Sequence, residues 1–432
     1  MRMVSKLALA GMAALMVVSC GGGGSSSSSV PPPVEVSGPP VTAADNVVAL
    51  TIDDGGSHVT ASGSPPAVTN VMYTTVTVCV PGTTTCTTVD HVQVDTGSSG
   101  LRLMASVLPS GFTLPQRSSG GVPVVECTQF ADGYSWGPLR TADVQIGGET
   151  ASSVPIQTIG DASYTGSNNA LVPSTCSSTG RAENTPPTFG ANGILGVSPG
   201  LQDCGAGCAS NANNGFYYLC SQPSSCSKTA LSTAEQVQNA VALFASDNNG
   251  ILIDLPAVPA NGATVVHGNL IFGIGTRSNN SLPNTAKVYQ FSTGSTVFPF
   301  TFNVNYNSVN YPDSFMDSGT SAYVLPNSGV GAIPSCNGSS DFLCPSTTQM
   351  STITVSAQNS VSGGYDITIA NADRLFNANP FFTAFDGLAI PSPGASTMGL
   401  GGPFFFGRPI YTAFEGFSSV PGTSVTPPLV AF

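Results

Sequence analysis

Twice in this chain, once in each half, an aspartate follows directly on a β-type run and opens an Asp-Thr/Ser-Gly turn. The first copy is Val92-Gln93-Val94-Asp95-Thr96-Gly97-Ser98-Ser99, and the second is Ser314-Phe315-Met316-Asp317-Ser318-Gly319-Thr320-Ser321. The glycine of each turn lets another backbone approach closely. One such turn, in a chain this rich in Ser, Thr and Gly, is an ordinary Asx-type corner. Two matched copies predict two lobes that bring Asp95 and Asp317 together as a facing carboxylate pair. A chain of 432 residues is long enough to build both lobes.

The rest of the pattern is short strands broken by turn signals. β-type runs occur at 47–52, 73–80, 89–94, 142–146, 154–159, 250–255, 270–274, 298–304 and 365–369. They predict an all-β body. One helix is expected, where Ser232 and Glu235 form a capping-box pattern ahead of Val237, Ala240, Val241 and Phe244. That stretch is the candidate connection between the lobes. The polar segment from Gln202 to Thr229 reads as a surface excursion held by disulfides.

The first residues are not part of the fold. A basic lead, Met1 to Lys6, precedes an apolar run from Leu7 to Val18, the pattern of a secretory signal. Val17-Val18-Ser19-Cys20 resembles the bacterial lipobox, which implies cleavage before Cys20 and lipidation of that cysteine; an ordinary signal beside a chance cysteine is the alternative. Gly21 to Gly24, Ser25 to Ser29 and the prolines that follow form a tether with no capacity for a core. The expected organisation is a signal peptide at 1–19, a tether at 20–45, an N-terminal lobe with Asp95 at 46–249 and a C-terminal lobe with Asp317 at 250–432.

Setting Cys20 aside leaves ten of the 11 cysteines, an even number that suits disulfides in an oxidising compartment. Cys79 with Cys86 and Cys336 with Cys344 are plausible local bridges. Zinc is the rival at Cys204, Cys208, Cys220 and Cys226, but the spacings are not the usual zinc pairs, and His58, His91 and His267 lie elsewhere. No metal or cofactor is expected. A net charge of −12 leaves no basic footprint for nucleic acid.

The paired turns resemble those of pepsin-like aspartic peptidases, whose fold is a bilobal double β-barrel with a central cleft, and the resemblance covers most of Tyr73 to Phe432. Asn192-Gly193-Ile194-Leu195-Gly196-Val197 is similar to the strand that crosses beneath the first aspartate, and Phe404 to Tyr411 is its expected counterpart under the second. Gly268 to Gly273 is similar to the strand that opens the second lobe. Phe130 to Gly148, with Asp132, Gly133, Tyr134 and Trp136, can be laid on the flap hairpin. The resemblance implies that Thr96 and Ser318 tie the two turns together, and that Ser98 and Thr320 hydrogen-bond the outer carboxylate oxygens.

Two close carboxylates cannot both ionise, so the pair titrates as one unit and works by general acid–base catalysis on a water. The sequence departs from the family at the flap. The usual flap tyrosine and its tryptophan partner align with Phe130 and Arg102, which leaves Tyr134 or Trp136 to pack on a loop or to touch substrate, and Arg102 as a surface or substrate-facing cation. His91 reads as a strand-face residue rather than a catalyst. Paired carboxylates also serve glycosidases, but nothing else in the chain points there.

The first functional reading is a lipid-anchored cell-envelope aspartic endopeptidase, favoured by the intact turns. The alternative is a catalytically inactive pepsin-fold binding or structural lipoprotein, favoured by the missing flap tyrosine. The pattern also resembles an uncharacterised family of Gram-negative lipoproteins with pepsin-like turns. The expected partners are a polypeptide substrate and, through the lipid, a membrane; the expected state is a monomer. Gly21 after the lipidated cysteine implies the outer membrane. No self-cleavable prosegment is visible ahead of Asp95.

Overall fold

A computed structural model describes residues 33–38, 44–293, 298–327 and 332–432. The expected signal peptide, Cys20 and most of the expected tether lie outside the described residues. No helix among the described residues is long and apolar enough to cross a membrane.

The chain is all-β, with a closed six-stranded barrel and a half-barrel sheet. Among the described residues, eighteen strands link into one large sheet and seven into a second. The β-type runs read from sequence fall on observed strands, among them Val47–Ile52, Tyr73–Cys79, Cys86–Asp95 and Ser362–Ile369. Their alternation works as expected. Val76, Val78, Val92, Val94, Val144, Val154 and Ile156 turn inward into one core, each such side chain contributing roughly 1.5–3 kcal/mol on burial.

Strands from both ends of the chain meet in the large sheet. Gly250–Asp254 pairs with Val265–Phe272 and with Ile410–Ala413, and Val265–Phe272 pairs in turn with Val47–Ile52. Within the stretch read as a tether, Glu35–Ser37 forms a short parallel strand on Val265–Phe272.

The expected helix near 232–244 does not form. Ser232 Oγ does meet the Glu235 carboxylate at 2.6 Å, but only single-turn hydrogen bonds follow, and the one helical piece is a 3-10 turn at Val241–Leu243. Gln238 instead bridges to Gln202 in sheet fashion, and Val237, Ala240 and Val241 are buried from an irregular path. Tertiary burial outweighs the helical spacing here. The segment from Gln202 to Thr229 is likewise more than a surface excursion, because Tyr217–Gln222 joins the sheet beside Val122–Gln129 and buries Tyr217 and Tyr218.

Among the described residues, five disulfides join Cys79–Cys86, Cys127–Cys176, Cys204–Cys208, Cys220–Cys226 and Cys336–Cys344. The cysteines weighed for zinc are therefore covalently paired. Cys127–Cys176 spans 49 residues, the longest separation of the five. Loop-closure entropy for that length is worth about 4 kcal/mol. Replacing both cysteines by serine is expected to lower the unfolding free energy by 2–4 kcal/mol (~ half to all of the loop term), read by denaturant titration under oxidising conditions.

His91 adopts a left-handed backbone conformation, with φ of 48°. Its Nε2 meets Asp53 at 3.2 Å and its Nδ1 meets Asp90 at 3.0 Å. The hydrogen bond to Asp53, acting against burial, raises the imidazole from 6.5 to about 8. The folded value is the higher one, so this stabilisation is complete below about pH 6.5 and lost as pH rises through about 8. Thermal unfolding followed from pH 6 to pH 9 (roughly the span of that titration) should show a decline that His91→Gln flattens.

Candidate active site

The two turns are built alike. Cys86–Asp95 ends on Asp95, and Val309–Met316 ends one residue before Asp317. The Gly97 N–H donates to Asp95 Oδ1 at 2.7 Å, and Ser98 Oγ donates to Asp95 Oδ2. On the other side, the Gly319 N–H donates to Asp317 Oδ1 at 2.7 Å, and Thr320 Oγ1 donates to Asp317 Oδ2 at 2.7 Å. Each carboxylate thus has one backbone and one hydroxyl donor.

Reciprocal hydrogen bonds join the turns. The Thr96 N–H donates to Ser318 Oγ at 3.0 Å, the Ser318 N–H donates to Thr96 Oγ1 at 2.9 Å, and Ser318 Oγ passes its own proton to the Val94 carbonyl at 2.9 Å. The glycines make the approach possible. A Cβ on Gly97 would stand 2.7 Å from the Asp317 carboxyl carbon, and one on Gly319 would run into the Asp95 carboxylate. Asp95 and Asp317 are 1% and 2% exposed. Burial, followed by the charge of Asp95 and a hydrogen bond to it, holds Asp317 well above the usual carboxylate range against the donors Thr320 and Gly319.

A strand runs behind each turn. Gly193–Val197 lies parallel to Cys86–Asp95 and antiparallel to Ser99–Met104, with Gly196 opposite both Asp95 and Gly100. Behind Asp317 the equivalent is Gly399–Leu400, between Phe315-Met316 and Val324, and not Phe404 to Tyr411 as the sequence suggested. Phe404 lies in a 3-10 turn, and Tyr411 belongs to a strand of the large sheet. Close packing decides the matter. A Cβ on Gly399 would lie 2.6 Å from the Phe315 ring, and one on Gly401 would lie 2.1 Å from the Ala322 carbonyl. The repeated apolar-Gly step, Leu195-Gly196 and Leu400-Gly401, is the signal that could have found it.

Val122–Gln129 and Gly133–Ile146 form a hairpin whose tip holds Phe130 and Asp132. Phe130 is buried edge-on against Phe189, with centroids 5.6 Å apart. Trp136 is buried against Tyr218 and donates to the Tyr164 carbonyl at 3.0 Å, and Tyr134 packs in the same cluster. The pocket beside the carboxylate pair is lined instead by Thr96, Gly97, Ser198, Pro199 and a wall of Phe291, Phe298, Phe300 and Phe315. Among the described residues the hairpin aromatics do not line it.

Arg102 is neither solvated nor facing the pocket. It is 1% exposed and bonds Glu126 Oε1 at 2.6 Å and Asp203 Oδ2 at 3.1 Å. Two further polar residues escaped sequence reasoning. Gln93, on the same strand face as Asp95 by the two-residue period, donates to the Gly319 carbonyl at 3.1 Å. Asn70 donates to the Ser321 and Phe385 carbonyls at 2.7 and 2.8 Å.

A carboxylate pair at the meeting of two matched turns, in a bilobal all-β chain with a strand behind each turn, defines the pepsin-like fold. Residues 42–432 match the family described as "Protein of unknown function (DUF3443)", and the chain belongs to that family. No curated protein matches the sequence. Among solved structures, it is similar to an aspartic proteinase from Irpex lacteus at 13% identity, covering 89% of this chain and 96% of that one, with a TM-score of 0.47.

Proposed function

We propose that this DUF3443 protein is an aspartic-type endopeptidase that hydrolyses peptide bonds at Asp95 and Asp317, held in the cell envelope of a Gram-negative bacterium, on the outer membrane, by a lipid on Cys20. The observation that carries the catalytic part is the reciprocal Thr96–Ser318 frame, which turns two buried carboxyls toward each other while Ser98 and Thr320 occupy their outer oxygens. Such a pair holds one proton between two oxygens, and the elevated affinity of Asp317 keeps that proton bound. The charged member takes a proton from a water poised to attack the peptide carbonyl, while the protonated member donates to the carbonyl oxygen. The aromatic wall of Phe298, Phe300 and Phe315 suits an apolar side chain beside the scissile bond. The leader sequence supports the lipid anchor, and the five disulfides suit an oxidising compartment.

One observation favours a binding protein without turnover: Phe130 brings no hydroxyl to the hairpin tip and is buried away from the pair. Digestion of an unfolded protein by the full chain from about pH 3 to pH 7, with and without pepstatin, separates the readings. Pepstatin-sensitive cleavage at acid pH is expected; a folded sample that cleaves nothing at any of these pH values favours the binding protein. Labelling with a fatty-acid precursor, lost on Cys20→Ala, tests the anchor.

A further inference from the structure

Beside the catalytic strand lies a second buried ionic group that the hydrolysis scheme does not use. Arg102 on Ser99–Met104 faces two carboxylates. Its Nη2 and Nε donate to Glu126 at 2.6 and 3.3 Å, and Nη2 also donates to Asp203 at 3.1 Å. Nε reaches Thr128 Oγ1 at 3.0 Å, and Nη1 reaches the Ser99 carbonyl at 2.9 Å. Tyr217 OH closes the set, donating to Asp203 Oδ1 at 2.5 Å and accepting from the Val237 N–H at 3.0 Å. Arg102, Glu126, Asp203 and Tyr217 are the charged and titratable groups that act on one another here, from every element packed around the guanidinium.

Each member belongs to a different element packed around the Asp95 turn. Arg102 continues the strand that leaves the Asp95 turn, and Glu126 sits on the first strand of the hairpin. Asp203 ends a loop whose Ser198 and Pro199 line the pocket at the pair, and Ser198 Oγ hydrogen-bonds Ser99 Oγ at 2.6 Å. Burial is complete, with Arg102 1% and Glu126 0% exposed and the Asp203 side chain 2% exposed. One guanidinium cannot neutralise two ionised carboxylates, and a net buried charge is strongly unfavourable. A proton kept on Asp203 removes that charge.

We propose that Arg102, Glu126 and Asp203 form a one-proton strut that clamps the hairpin and the Ser198–Asp203 wall to the catalytic strand, and that loss of the proton at higher pH loosens the cleft. The strut is an acid-set positioning device for the hydrolysis proposed above, and rests on that reading only for its consequence in catalysis. Burial first, then the charge of Glu126 and a hydrogen bond to it, raise Asp203 well above the usual carboxylate range against the pull of Arg102. The folded value exceeds the unfolded one, so the stabilisation is complete at acid pH and is lost as pH rises through the folded value.

Hydrogen exchange of the full chain across a pH series, corrected for the intrinsic pH dependence of exchange, tests the strut without a substrate. Between the ordinary aspartate range and the raised folded value of Asp203, opening of Val122–Gln129 and Gly133–Ile146 is expected to grow by about tenfold per pH unit, and to level off above it. Asp203→Asn, which imitates the protonated acid, should remove that growth, and Glu126→Gln serves if Asp203→Asn does not fold. Equal pH profiles for the wild type and the folded variant overturn the strut. If cleavage is measurable, the alkaline limb of kcat/KM should move upward in the same variant while the acid limb stays. A chain that never cleaves but shows the exchange response keeps the strut and loses the peptidase reading.

Discussion

Asp317→Asn is expected to lower peptide cleavage by about 10²- to 10⁴-fold at every acid pH while leaving the protein folded. The amide keeps the shape of a protonated carboxyl and can still meet the Gly319 N–H, so the turn loses little. What disappears is the shared proton: an Asp–Asn pair keeps one carboxyl, which cannot serve as base toward the water and as acid toward the carbonyl oxygen in the same step. Stability should move the other way. The folded affinity of Asp317 for its proton is raised, so its contribution is present at acid pH and declines as pH rises through the folded value. The asparagine variant lacks this contribution, and its thermal midpoint should fall less steeply with pH than that of the wild type. Cleavage of an unfolded protein and thermal melts, run on the same samples, check both halves. Turnover that survives in Asp317→Asn or Asp95→Asn would remove the pair from the mechanism.

The second large effect concerns Arg102. Replacing it by methionine leaves Glu126 and Asp203 facing each other in the interior without a cation, which destabilises by about 3–5 kcal/mol. An arginine on the surface would be worth about 0–1 kcal/mol. The magnitude therefore decides between the buried network and the solvated or substrate-facing cation that the sequence suggests. Equilibrium unfolding in denaturant at neutral pH measures it. Changing all three charged residues together, to methionine, glutamine and asparagine, should recover most of the loss, because the penalty belongs to the unmatched charge. A single-variant loss within the surface range would contradict the network.

Much of this architecture was legible because its signals are local. Strand alternation at Val92 and Val94 survives any rearrangement of the rest of the chain, since a shift of one residue would turn both valines out of the core. The paired turns carry their own hydrogen-bond donors, Gly97 and Ser98 in one and Gly319 and Thr320 in the other. Cys79 and Cys86 flank one tight turn, so their pairing needs little of the fold. The helix expected near 232–244 failed for the opposite reason. Its apolar spacing was real, but Val237, Ala240 and Val241 find their burial against distant strands from an irregular path.

What the sequence by itself determined is the set of strands, the two turns with their hydroxyls and glycines, and hence a two-lobed all-β chain with Asp95 and Asp317 as its matched acids. Only the tertiary structure decided that Leu400-Gly401 and not Phe404 to Tyr411 backs the second turn, and that Arg102 ends in the core between Glu126 and Asp203. The division has a physical basis. Backbone periodicity and turn chemistry act over a few residues and leave a mark in the local pattern. The partner of a buried charge, or the glycine beneath a distant strand, is selected by burial and close packing between segments that the sequence holds far apart.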